Sequence, residues 1–415
     1  MATTPARRII TLDIIRGVAV MGILMMNITG FAFPDPAYLN PLATPGAGPW
    51  DVAIYLMDFL LFDGKMRGLF SFLFGASMLM VILRAKAGGN SAVRTHFSRM
   101  VWLLIFGLIH LCLIWWGDIL TLYAVTGMVA WFFRTLPAHK LVTVGILLLV
   151  AQLAMVALVP LSLLLLKAHA AEPGAPAGVV MALIEMRRGL GSPEPGWMAE
   201  QIALYRSGYA AVLQARMAKI NPVGMVMFNG FETLAYMLFG MAGLKSGFLS
   251  GEAPRATYRR WAAIGFGVGL PVYAALGAYL IAQDFSPLSV SLAVMTATVP
   301  VRPLMIMGWA ALIILTVRGE NGMGRRIAAT GRMAFSNYLG TSLICTTIFY
   351  GYGLGWFGAL SRAESLLVVV AIWAVMLGWS EPWLQHFRYG PLEWLWRCCA
   401  RGSWQRLRGA AFAGD

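Results

Sequence analysis

Charge is scarce in this 415-residue chain. Asp, Glu, Lys and Arg make up 12% of it, where a water-soluble domain carries roughly a quarter. That scarcity excludes a water-facing surface over most of the chain. Cysteine is scarce too, with four in all. Cys112 and Cys345 fall inside apolar stretches, and Cys398 and Cys399 are adjacent near the C-terminus. None has metal-ligand spacing, so neither a structural zinc nor any other metal site is expected. The tail pair is expected in the cytoplasm, where thiols stay reduced, so no disulfide is expected either. Several catalytic signatures are missing: a phosphate-cradling glycine loop, GxSxG and HExxH. Gly351-Tyr352-Gly353-Leu354-Gly355 is glycine-rich, but no strand precedes it and it reads as an exposed turn.

What the chain has instead is apolar length. Hydrophobic residues make up 59% of it, and the mean hydropathy is +0.71. The first stretch, Ile9 to Phe33, follows Arg7 and Arg8 but carries Asp13 and Arg16 inside. It is as long as a span requires, with no small-x-small site before Pro34-Asp35-Pro36, so it reads as an uncleaved first helix. Further stretches are Met66–Leu83, Val101–Trp116, Ile119–Phe133, Leu141–Leu166 and Met225–Leu244, then Trp261–Ala282, Leu304–Val317, Ala334–Tyr350 and Leu366–Pro382. Phe59–Leu61 and Leu288–Val299 read as half-helices or interfacial pieces. The expected fold is an all-α integral membrane protein of about ten transmembrane helices.

Loop charge gives a direction. With the N-terminus inside and the spans alternating, 21 of the 32 basic residues fall on the inner side. They run from Arg7 and Arg8, through Arg84, Lys86 and the 318–332 group, to Arg388–Arg408. Six of the ten outer ones sit in one long loop, where charge has little influence on orientation. Both termini are therefore expected in the cytoplasm. The net charge of +14 then serves a cytoplasmic face meeting anionic membrane lipid. Nucleic acid is excluded as a partner, because the basic residues are dispersed among spans.

Four regions follow: a five-helix half over 1–166, an extracytoplasmic loop over 167–222, a second five-helix half over 223–387, and a basic cytoplasmic tail over 388–415. Residues 34–65 form another outer loop, irregular at first. In the longer loop, Ile202, Tyr205, Tyr209, Val212, Met217 and Ile220 recur at helical spacing among charged residues. This predicts an amphipathic helix resting on the outer membrane surface, either as a connector or as a lid over a site opening outward. No internal repeat is evident.

Polar groups inside spans are expensive and point to function. Asp13 and Arg16 share a helix face, and Asn27 returns to that face roughly 16 Å further out. This stripe reads either as an ion pair that orients the helix or as an anion-binding guanidinium at a cavity mouth. His110 is the only histidine within a span. It is either hydrogen-bonded structurally or a general base. Asp118 is either a helix cap or the carboxylate that orients His110. Glu232 is the only acidic residue of its span, and Arg302, between Pro300 and Pro303, is its candidate partner.

Several motifs together resemble a known family. They are Leu12-Asp13-x-x-Arg16-Gly17 with Asn27, Leu69-Phe70-Ser71-Phe72-Leu73-Phe74-Gly75, and Gly107-Leu108-Ile109-His110 with Gly117-Asp118-Ile119-Leu120. In the C-terminal half they are Gly331 to Leu339, including Asn337 and Tyr338, Phe349-Tyr350-Gly351, and Gly390-Pro391-Leu392-Glu393-Trp394-Leu395-Trp396-Arg397. Across nearly the whole chain the pattern resembles the bacterial YeiB-like membrane proteins of domain-of-unknown-function family 418. The first helix is also similar to that of a wider superfamily of transmembrane acyltransferases. Sugar O-acyltransferases of that group carry a histidine about eleven residues after the arginine, where this chain has Asn27. Residues 34–65 contain no histidine either, which leaves His110 as the embedded base.

The resemblance implies a protein of the bacterial cytoplasmic (inner) membrane. It would move an acyl group, such as acetyl, from cytoplasmic acyl-CoA to a small-molecule or glycan acceptor of the envelope. His110, Asp118 and Asn27 would then be catalytic, as base, orienting carboxylate and oxyanion donor. Asp13, Arg16, Glu232, Arg302, Asn337 and Tyr338 would bind substrate or acyl-CoA. The same embedded charges would also suit a proton-coupled carrier or flippase of an amphipathic solute. The deciding spatial question is whether Arg16, Asn27, His110 and Asp118 line one continuous cavity, and a His110 facing lipid or a dry helix interface would overturn the catalytic reading.

Overall fold

The computed structural model describes residues 9–44, 46–194, 196–317 and 322–408, and every regular element among them is helical. Arg7, Arg8 and Arg318 lie outside the described residues. The principal helices are α1 (Ile10–Ala32), α2 (Pro49–Leu61), α3 (Lys65–Ala87), α4 (Ala92–Ile109), α5 (Leu120–Ala130) and α6 (Ala138–Ala170). Then come α7 (Trp197–Tyr205), α8 (Tyr209–Lys219), α9 (Pro222–Lys245), α10 (Arg255–Ala282) and α11 (Arg302–Thr316). The last are α12 (Gly322–Arg332), α13 (Ala334–Phe349), α14 (Arg362–His386) and α15 (Pro391–Arg401).

Seven helices among the described residues are long and apolar enough to cross a membrane: α1, α2 with α3, α4 with its extension to Ile114, α6, α9, α10 and α14. An eighth is reached if α11 is counted with the 287–297 segment, from which it is bent by 57°. Each apolar stretch read from the sequence is a helix, but α5 and α13 are short. Phe59–Leu61 belong to α2, and Leu288–Val299 fall on the bent segment before α11.

Helices approach closely where side chains vanish. A Cβ at Gly331 of α12 would lie 1.9 Å from the Asp13 carbonyl oxygen, and one at Gly17 of α1 would lie 2.1 Å from that of Ile327. Apolar residues at helical spacing leave α6 with a bare outer face of Ile146, Leu147, Val150, Leu158 and Leu161. That face suits lipid rather than water. The two membrane halves interlock, since α9 packs against α3 and α6.

The single amphipathic helix expected around 202–220 is instead two, α7 and α8, broken at Arg206–Gly208. Most of its apolar face is covered by protein. Tyr205 stacks on Phe357 at 4.4 Å, Val212 is buried, and the Gly351 amide donates to the Tyr205 carbonyl at 2.9 Å. Tyr209 and Met217 alone of the six are exposed. The pair is docked onto the bundle.

Candidate functional site

α7 and α8 roof a cavity of about 670 Å³ walled by α1, α3, α5, α6 and α9. Its wall is mixed. Leu111, Val156, Met225 and Phe228 are apolar, while Asn27, Arg67, Asp118, Gln152, Arg216, Asn229, Glu232 and Arg302 are polar. Asp35, just past α1, also faces it.

One wall is an ion cluster. Glu232 accepts from Arg67 Nη2 at 2.8 Å, from Tyr236 Oη at 2.8 Å and from Arg302 Nη1. Arg302 Nη2 also donates to Thr298 Oγ1 at 2.7 Å, and Arg67 Nη1 to Asn229 Oδ1 at 3.3 Å. The bend before α11 makes this geometry: it frees the first turn, so Arg302 turns inward. Behind it, Lys65 is fully buried, with Nζ donating to the Phe59 carbonyl and lying 3.3 Å from the Tyr273 ring centre.

A second group forms a line. At His110 the α4 backbone loosens into a π-helical turn, His110–Ile114, a distortion common at functional sites. The His110 Nδ1 lies 2.8 Å from Asp118 Oδ1, and its Nε2 lies 2.9 Å from Ser342 Oγ on α13. The imidazole is inaccessible to solvent. Asp118 Oδ2 also accepts from the Thr121 amide at 2.7 Å, so the carboxylate both caps α5 and holds the histidine. Tyr338 braces the turn, donating to the Gly117 carbonyl and accepting from the Ile119 amide, each at 3.3 Å. Ser342 opens onto a space of about 10 Å³ shared with Asn27, Tyr338 and Thr341, which is room for about one water.

The structure thus gathers part of the expected set. Asn27, Asp118, Glu232 and Arg302 line the main cavity. His110 does not line it; its partner Asp118 does, and its other partner Ser342 borders the small space, whose lining shares Asn27 with the main cavity. Arg16 is outside it as well. Its Nη1 donates to Asp13 Oδ1 at 3.1 Å and its Nη2 to Ser77 Oγ at 2.7 Å, which makes a helix-orienting pair. The single cavity lined by Arg16, Asn27, His110 and Asp118 is therefore not what the fold builds: two of the four line it. Asn337 lies apart too. Its Nδ2 donates to the Thr330 carbonyl at 3.1 Å and Ser380 Oγ at 3.2 Å, while its Oδ1 accepts from Trp379 at 2.9 Å. It ties α12, α13 and α14 together.

Arg67, Gln152, Arg216, Asn229 and Ser342 were not anticipated. Arg67 had a legible signal, a charge one residue inside an apolar stretch. Ser342 had none, because a serine in an apolar helix is silent when it can bond back to its own backbone, as Ser342 does with the Tyr338 carbonyl at 3.4 Å.

These features define a multi-helix membrane protein with a charged internal cavity. The chain belongs to the family of uncharacterised proteins that includes YeiB and YxaH. It is 31% identical to "Uncharacterized protein YeiB" of Escherichia coli over 94% of this chain and 95% of that protein. It is 32% identical to "Uncharacterized protein YxaH" of Bacillus subtilis over 98% and 97%. Residues 243–403 match the family model described as "Protein of unknown function (DUF418)". No solved structure matches the chain.

Proposed function

We propose that this protein is a transmembrane acyltransferase in which Ser342 relays an acyl group from acyl-CoA to an acceptor held in the main cavity. The reading belongs with placement in the acyltransferase superfamily. It also takes the protein to sit in the bacterial cytoplasmic membrane with about ten spans and both termini inside. The observation that carries it is the Ser342–His110–Asp118 line, a nucleophile within reach of a base that is itself held by a carboxylate.

His110 Nε2 takes the Ser342 proton as Oγ adds to the thioester carbonyl. The C–S bond then breaks and the coenzyme thiolate leaves with that proton. In the second half an acceptor hydroxyl or amine gives its proton to His110 as it attacks the acyl-serine, and Ser342 leaves reprotonated. Asp118 fixes the tautomer with the proton on Nδ1. Asn27, which borders both the main cavity and the space at Ser342, donates to the oxyanion.

The test is transfer of radiolabelled acetyl from acetyl-CoA to purified protein. Base-labile label is expected on the native chain, absent from Ser342→Ala and strongly reduced in His110→Gln. Label that survives Ser342→Ala, or no label on folded native protein, overturns the relay. The Arg67–Glu232–Arg302 cluster on the cavity wall favours a second reading, a carrier. Solute counterflow in proteoliposomes without chemical modification of the solute would support that one instead.

A further inference from the structure

Glu232 is shared by two arginines, and of that cluster's buried donors Arg302 Nε is left without a partner. Arg216, on the α8 roof of the cavity, has no such carboxylate. It is 4% exposed and lines the cavity, yet its Nε and Nη2 have no hydrogen-bond partner. Its one bond is from Nη1 to the Cys112 carbonyl at 3.3 Å. No carboxylate among the described residues lies within ion-pair distance of it. A buried guanidinium left this way is costly, so the fold holds it for something that binds.

From this we infer that the cavity binds a phosphate-bearing amphiphile, with the phosphate on Arg216. Nε–H and Nη2–H lie on one edge of the guanidinium and form a fork that matches two oxygens of one anion. Lys219 is three residues on along α8, so it shares that face, and it lines the same cavity. Lys219, whose Nζ lies 3.4 Å from Gln201 Oε1, adds a second cation to the cavity wall, and a multiply charged phosphate gains more from two cations than a single carboxylate does. The apolar wall of Leu111, Val156, Met225 and Phe228 takes the rest of the molecule, and the volume suits a ligand of modest size. The phosphate could belong to a lipid headgroup or to a soluble phosphate compound; the chemistry at Arg216 is the same. Binding here stands whether or not acyl transfer occurs.

The experiment is titration calorimetry on the purified full chain in detergent. The ligands are inorganic phosphate, dihexanoyl phosphatidylglycerol and, as the uncharged control, dihexanoylglycerol. Saturable binding of at least one phosphate ligand is expected. Arg216→Gln should weaken it about tenfold or more, and Arg216→Lys, which keeps charge but loses the fork, by less. If inorganic phosphate competes with the phospholipid, a soluble source is supported. If only the phospholipid binds, a headgroup is supported. Unaltered affinity in folded Arg216→Gln overturns the inference. So does equal affinity for dihexanoylglycerol, or no saturable binding of either phosphate ligand. Should Arg216→Gln fail to fold, exposed Lys219→Gln decides: weaker phosphate binding supports the site, and an unchanged Kd overturns it.

Discussion

Glu232 carries two guanidiniums and a tyrosine hydroxyl on one carboxylate, which makes it the most exacting residue of the cavity wall. Glu232→Gln would leave Arg67 and Arg302 facing each other without an anion. Breaking a buried pair by removing one partner costs about 3–5 kcal/mol. The expected outcome is a large fall in detergent Tm and in folded yield. Converting Glu232, Arg67 and Arg302 together to Met should recover much of the loss, because no charge of the cluster is then left without its partner. A single substitution as stable as the native chain would show the cluster to be dispensable. At this scale the sequence was readable where spacing or rarity spoke. Three residues' separation on a helix paired Asp13 with Arg16, and lone embedded charges marked Glu232 and Arg302. Arg216 was hidden, since a loop arginine beside other loop charges looks solvated until the fold buries it.

Between elements, backbone contact and a remote cap do the holding. Because Gly331 meets the α1 backbone, Gly331→Ala forces α12 away and should cost about 1–3 kcal/mol. Gly340 on α13 faces open space, so Gly340→Ala should be neutral or stabilising by about 0.5–1 kcal/mol. Comparing their melting temperatures checks both. The cap comes from α15. Glu393 Oε1 accepts from the Phe335 and Ser336 amides at 2.8 and 3.1 Å, and Oε2 lies 2.5 Å from Ser336 Oγ. Two first-turn amides of α13 are thus satisfied from another helix. Glu393→Ala should cost about 1–2 kcal/mol, as loss of a cap does.

Burial raises the Glu393 carboxyl above its ordinary value, against those hydrogen bonds. The folded state therefore holds this proton more tightly than the unfolded chain does. The stability it contributes is present below the ordinary carboxylate value and lost as pH rises through the raised one. The proton fits on Oε2, which leaves Oε1 free to cap. The native chain should accordingly lose stability relative to Glu393→Gln across that window, read as the difference in melting temperature against pH. A difference independent of pH would mean that Glu393 does not titrate there.

For the molecule as a whole the open quantity is the number of crossings. Hydropathy found α1, α3 to α6, α9 to α11, α13 and α14, because burying backbone polar groups in lipid demands helices wherever apolar residues run on, and it passed over α12 and α15. It was weaker on which of them cross. Leu120–Phe133 has 14 residues and α13 has 16, or about 21 and 24 Å at 1.5 Å per residue, against a hydrocarbon core of about 30 Å. Neither reaches across an undistorted bilayer alone. Both lie against the cavity or its histidine: α5 through Ile119 and Leu122 at the wall, and α13 through Ser342. Short helices packed inside a bundle can cross where neighbours shield their ends. If both cross, and the bent 287–316 pair counts once, the chain passes an even number of times and its ends share a side. With the N-terminus inside, as proposed, the cavity roof formed by α7 and α8 would be extracytoplasmic, which is where an envelope acceptor or a phospholipid headgroup would enter. Alkaline phosphatase, active only outside the cytoplasm, should be active when fused after Leu190 and inactive after Asn90, Ser250 or Arg408. An active fusion after Arg408 would give an odd number of crossings. It would remove one of the two short helices from the membrane and place the tail and the α1 start on opposite faces.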